Sequence, residues 1–199
     1  MENVAIIMGG TSEESGISIQ SGKTIKKYID KNKYNAFLIS CINTNEFHVL
    51  INNNKYIIDN SDFSFRLNNK TIIFQKVFMM IHGKPGENGE LCKYFEDKKI
   101  PYTSSNETAS ILTFNKYNCN NYLKSLEYHV PNSQIYKVDS KIEFPCIIKP
   151  SCSGSSFGIS KIYNSQELPV AIFFWCVFDY RYIICRTCYH GSPLCSTKL

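Results

Sequence analysis

Four short stretches hold residues whose types and spacing could do chemistry. In Lys149–Lys161, KPSCSGSSFGISK, Gly154 and Gly158 stand among Ser153, Ser155 and Ser156, with Lys149 at the base. Glycine lets the backbone turn sharply and bring N–H groups close to an anion, while the serines add donors and the lysine adds charge. That set suits a phosphate cradle, and it equally suits a plain β-hairpin turn. In Gly9–Ser18, GGTSEESGIS, Glu14 lies where a helix should begin. A carboxylate there either favours the helix dipole or meets a cationic ligand group. Ile81–Glu90, IHGKPGENGE, packs three glycines into seven residues after an apolar run, a closely folded loop that carries His82 and Glu87. The fourth stretch, TFNK, ends in Lys116, which taken by itself reads as a solvated surface charge. A Walker-type nucleotide loop in SGISIQSGKT is excluded. Five residues separate Gly16 from Gly22, where that motif requires four.

The elements that must position these residues follow from hydrophobic patterning. Val4–Met8 reads as a buried strand ending at the Gly9-Gly10 turn. A helix is expected over Ser18–Asp30, with Ile19, Thr24, Ile25 and Tyr28 on one face and lysines near its end. Tyr34–Cys41 reads as a second strand, and Phe47–Phe74 alternates in the manner of small antiparallel strands with turns at NNNK and NNK. Val77–Ile81 is a further apolar strand, Leu91–Lys99 a helix, and Ile100–Thr103 a short strand. Strands alternating with helices predict an α/β, largely parallel layer over residues 1–103, with function gathered where strands end and helices begin. Beyond it, Glu107–Leu126 reads as helical, and Ser133–Lys137, Cys146–Lys149 and Phe157–Ile162 as strands.

Composition narrows the function classes. A net charge of +5, with lysine scattered along the chain, gives no stripe for nucleic acid. The opening MENVAIIMGG lacks the basic leader and long apolar run of a signal peptide. No run of about 18 apolar residues is present, so no membrane span is expected. Cys41, Cys92, Cys119, Cys146 and Cys152 are spread singly and read as reduced thiols of a cytoplasmic protein.

Taken in order and spacing, IIMGGTSEESGIS, IHGKPGENGELCKYFEDKKIPYTSS, ETASILTFNK, FPCIIKPSCSGSSFGISK and SQELP resemble the D-alanine–D-alanine ligase family over residues 3 to about 172. The resemblance implies a Rossmann-like pre-ATP-grasp N-terminal domain over residues 1–103, then the first part of an α+β ATP-grasp domain over residues 104–172. It implies ATP and Mg²⁺ as cofactors and D-alanine as substrate, and it leaves a homodimer open. Glu14 matches the carboxylate that holds the ammonium group of the first D-alanine. His82 and Glu87 fall in the signature that lines the substrate site. Lys116 and Lys149 match the two lysines on ATP phosphates. Ser155 matches the loop serine that positions the second D-alanine, so Glu14 and Ser155 are the catalytic candidates. Gly154, Ser155, Ser156 and Gly158 belong to the loop that covers the phosphates.

The sequence departs from that pattern in places. Asn88 stands for the aspartate of the signature, and Cys152-Ser153 for Arg-Glu. The larger departure is Phe173–Leu199. Asparagine occurs 19 times before residue 173 and not once after it, while four cysteines and seven aromatics crowd into the tail. Such a change of residue vocabulary predicts an aberrant, out-of-frame segment. A zinc site from Cys185, Cys188, His190 and Cys195 is the rival reading, and an apolar core helix another. The segment that would supply the adenine hinge, the lid and the Mg²⁺ carboxylates in the family has no counterpart here. The expectation is a family member inactive by itself. Its rivals are a ligase with another second substrate such as D-lactate, and a non-catalytic fragment or pseudogene product.

Overall fold

The computed structural model describes residues 1–154, 156, 158–173 and 182–186. The chain forms two compact units, Met1–Ile111 and Leu112–Leu199. In the first, β1 (Glu2–Gly9), α1 (Ser15–Tyr28), β2 (Tyr34–Asn43), β3 (Glu46–Ile51) and β4 (Asn54–Ile57) are followed by β5 (Ser64–Leu67), β6 (Lys70–Ile73), β7 (Lys76–Met79) and α2 (Glu90–Asp97). Five strands form one sheet in the order β4-β3-β2-β1-β7, and β5 and β6 form a separate hairpin. β1 runs parallel to β2 and β7, while β3 and β4 are antiparallel additions. The sheet is therefore mixed rather than largely parallel. Asparagine decides this: Asn52-Asn53 and Asn68-Asn69 hold left-handed φ of 47, 65, 49 and 60°. Two such residues in succession make the tight turn that folds a strand straight back on its neighbour.

β1 is an inner strand of this sheet, between β2 and β7, and Val4–Met8 is no more than 4% exposed. Beside it lies an aromatic core of Phe37, Phe47, Phe63, Phe65, Phe74 and Phe95. Phe65 stacks on Phe74 at 5.7 Å, and Phe63 meets Phe95 edge-on at 5.0 Å. Each fully buried Phe contributes about 1.5–3 kcal/mol.

The face that α1 buries differs from expectation. Ile19 and Tyr28 are exposed, and the buried residues of the helix are Ser18 and Gly22. The reason is close approach: a Cβ on Gly22 would lie 2.8 Å from the Met8 sulfur and 3.0 Å from its Cβ. Large apolar residues would hold the helix off the sheet, so they turn outward. The strand expected at Ile100–Thr103 reduces to one bridge, Val77 to Tyr102. Pro101 has no N–H to extend a ladder.

α3 (Glu107–Phe114) spans the boundary between the units. The second unit then contains α4 (Lys116–Ser125), β8 (Ser133–Ile135), β9 (Cys146–Pro150), β10 (Ser160–Ile162), α5 (Leu168–Phe173) and β11 (Tyr182–Arg186). The single helix expected over 107–126 is two. Asn115 separates them, with an extended backbone and a side-chain oxygen that accepts from the N–H groups of Tyr117 and Asn118, 3.1 Å each. This is an N-cap, worth about 1 kcal/mol. The four strands are ordered β10-β9-β11-β8 and are antiparallel throughout. β11 falls inside 173–199, the stretch set apart by its residue vocabulary, yet it is an inner strand. Tyr182, Ile183, Ile184 and Cys185 are all at most 6% exposed. Cys188, His190 and Cys195 lie outside the described residues.

Candidate functional site

The first unit brings two of the four stretches together at the ends of β1 and β7. Gly9 and Gly10 have φ of 105 and 90°, which turn the chain off the sheet edge. The Gly10 N–H donates to Cys41 O at 2.8 Å, and the Thr11 N–H to Lys84 O at 3.2 Å. A Cβ on Gly10 would stand 2.8 Å from that Lys84 carbonyl, so the two loops touch backbone to backbone. Two hydroxyls complete the join. Ser12 Oγ donates to His82 O at 2.6 Å and accepts from the Glu14 N–H at 3.3 Å. Ser18 Oγ donates to Met80 O at 2.7 Å and accepts from the Gly9 N–H at 2.9 Å.

Glu14 is the N-cap residue of α1, but its side chain makes no capping bond. The residue is half-buried. In the second loop the Glu87 N–H donates to Gly83 O at 2.8 Å, closing a turn that sets His82 Nδ1 3.9 Å from Glu87 Oε1. Both side chains are more than a third exposed, so a ligand can reach them. Gly89, at φ 89°, is the residue before α2, and Asn88 accepts from the Glu90 N–H at 3.3 Å while donating to its carboxylate at 2.6 Å. Asn88, where the pattern had an aspartate, therefore still ties off the first turn of α2. The other end of α2 is held to α3 by Glu96, which accepts from the Tyr102 hydroxyl and the Glu107 N–H. Those bonds, the hydroxyl foremost, hold its carboxyl below the usual range.

In the second unit Lys116 opens α4. Its N–H donates to Ser151 O at 2.9 Å, and its Nζ donates to Ser153 O. The lysine is thereby fastened to the base of the Gly154–Gly158 loop instead of pointing idly to solvent. Lys149 is half-buried on β9, paired across the sheet with Ile183 of β11. Burial raises the Cys185 thiol pKa, and the Lys149 charge works against that rise. In the loop itself Gly154 and Ser156 are exposed and Gly158 is buried. Ser156 and Gly158 both take left-handed φ, 59 and 75°. Ser155 lies outside the described residues. The geometry thus gathers Glu14, His82 and Glu87 around one loop pair, and Lys116 with the base of the serine loop around another. Ser12 and Ser18 escaped the sequence reading, because a serine in a turn carries no mark of the distant carbonyl it will meet.

An α/β unit with glycine-rich loops at its strand ends, followed by an antiparallel sheet bearing a lysine and a glycine-serine loop, is the architecture of the ATP-grasp fold. A family model described as the D-ala D-ala ligase N-terminus matches residues 3–105, and one described as the D-ala D-ala ligase C-terminus matches residues 115–191. The chain belongs to the D-alanine–D-alanine ligase family. It is 40% identical over 181 residues to a D-alanine–D-alanine ligase of Flavobacterium johnsoniae, covering 86% of this chain and 56% of that one. It is 39% identical over 178 residues to that of Phocaeicola vulgatus, covering 85% and 55%. Among solved structures, the VanG D-Ala:D-Ser ligase of Enterococcus faecalis aligns with a TM-score of 0.78 at 27% identity, covering 94% of this chain and 62% of that one. The ligase of Coxiella burnetii aligns at 0.81 with 20% identity and shows the shared fold, covering 94% and 64%. The chain spans about half the length of the curated relatives it matches.

Proposed function

We propose that this chain carries the amino-acid-binding and phosphate-binding parts of an ATP-dependent D-alanine–D-alanine ligase of peptidoglycan synthesis, at work in the cytoplasm. The observation that carries the reading is the fastening of the Glu14 turn to the His82–Gly89 loop, inside the region that the N-terminal family model matches. Glu14 binds the ammonium of the first D-alanine, and His82 with Glu87 lines its site. Lys116 and Lys149 neutralise ATP phosphates, and Gly154, Ser155, Ser156 and Gly158 cover them, with Ser155 also placing the second D-alanine.

The chemistry follows from charge. A carboxylate is a poor electrophile, so the first D-alanine's carboxylate oxygen attacks the γ-phosphorus and the bond to ADP breaks. The amine of the second D-alanine then attacks the acyl carbon, loses a proton, and phosphate leaves. Two lysines stabilise the charge that moves between oxygens. A magnesium ion would add the larger counter-charge when bound. Among the described residues no group of three or more His, Cys, Asp or Glu lies together.

The test is calorimetric titration of the 199-residue polypeptide with D-alanine, beside a coupled assay of ADP release with ATP, Mg²⁺ and D-alanine. Binding of D-alanine that Glu14→Gln abolishes, with negligible ADP release, is the expected result. No D-alanine binding sinks the reading, and turnover near that of a full-length relative sinks the claim that these residues are inactive by themselves. Offering D-serine and D-lactate to a protein of the relatives' full length decides the second substrate. Sedimentation decides whether the first unit forms a homodimer.

A further inference from the structure

We propose that Ser12 is a positioning residue: its hydroxyl couples the turn that carries Glu14 to the loop that carries His82, so that the two move as one body. The inference rests on the reading of Glu14 and His82 as substrate contacts and adds the part that keeps them in register. A single hydroxyl serves both sides. It donates to the His82 carbonyl at 2.6 Å and accepts from the Glu14 amide at 3.3 Å. The join is also shaped for that hydroxyl, because a Cβ on Gly83 would come within 2.7 Å of the Ser12 Cβ. Nothing larger than glycine leaves room for the serine to reach.

Ser18 acts one layer below. Fully buried, it bridges the Gly9 amide at the end of β1 to Met80 O just after β7. With that lower bridge in place, the strand ends are fixed whether or not Ser12 is present. Removing the Ser12 hydroxyl therefore leaves the loops joined through the Thr11 N–H to Lys84 O bond and loosens the Glu14 and His82 ends of the join, without undoing the sheet beneath them. Glu14 and His82 sit on loops at the ends of β1 and β7, and a shift of about 1 Å between such groups costs on the order of 100-fold in a positioned reaction. A hydroxyl that spans the two loops removes that freedom before substrate arrives.

The test compares Ser12→Ala and Ser12→Thr with the wild-type chain by hydrogen–deuterium exchange and by D-alanine titration. Ser12→Ala should speed exchange at least tenfold in both residues 11–16 and residues 82–87, leave β1 and β2 protected, and weaken D-alanine binding at least tenfold. Ser12→Thr, which keeps the oxygen, should restore both. Exchange that rises in one segment and not in the other overturns the coupling, as does failure of Ser12→Thr to restore it. Faster exchange in both segments with unchanged D-alanine affinity overturns the positioning role. A wild-type chain that shows the exchange pattern but binds no D-alanine separates the two ideas: the coupling stands, and the substrate reading of the site falls.

Discussion

The two units build their chemical loops by different means. In the first, Gly9–Glu14 and His82–Gly89 leave neighbouring strands of one sheet and are joined by bonds between the loops themselves and between the adjoining strand and helix ends. In the second, the Gly154–Gly158 loop springs from β9, whose sheet partner β11 arrives some 30 residues later along the chain. The aromatic core of the first unit is large, whereas the cluster in the second rests on a few residues of β9, β10, α5 and β11. One site is framed locally. The other is framed by a distant strand, and it inherits any weakness there.

Removing residues 173–199 tests that contrast most severely. Without β11, β8 loses its strand partner and β9 one of its two, so limited proteolysis should cut the second unit while Met1–Ile111 stays resistant. If the second unit remains protected, the dependence on β11 is wrong. Next in size, Phe95→Ala should lower the stability of the first unit by about 3–5 kcal/mol, read from urea unfolding. An unchanged urea midpoint would mean that Phe95 does not support this core. Asn115→Ala should cost about 1 kcal/mol, confined to the start of α4 and read from faster amide exchange at Tyr117 and Asn118. The smallest effect concerns Glu96. Its lowered carboxyl pKa contributes stability that is complete above the ordinary glutamate range and fades as pH falls through the lowered value. Glu96→Gln should therefore narrow the difference in first-unit stability between neutral and acid solution, measured by urea midpoints at several pH values.

Much of this contrast was already visible in the residues. Val4–Met8 announced a buried strand because nothing polar interrupts it, and the asparagine pairs announced hairpins because left-handed turns suit them. What stayed hidden depends on distance. The break at Asn115 needed a cap that looks like any polar residue within a helical run. The outward turn of Ile19 and Tyr28 followed from how closely α1 approaches Met8, which periodicity does not report. β11 was masked by an unusual vocabulary of cysteine and aromatics, although YIIC is by itself an ordinary apolar strand. Glu14, His82 and Lys149 stood out as candidates by type and spacing and Lys116 only through the family resemblance, while the serine that ties the Glu14 turn to the His82 loop did not stand out.

The inner position of β11 also sets an order of events during translation. The first sheet has all of its strands once residue 79 has been made, and its core is complete soon after. The second sheet cannot close until Arg186 has left the ribosome, because β8 has no other neighbour to wait beside. Through that interval β8, β9 and β10 are newborn strands with open edges, and edges of that kind recruit other chains. Chaperone dependence in a cell should therefore trace to the second half of this polypeptide, even though the first half holds the large buried aromatic core.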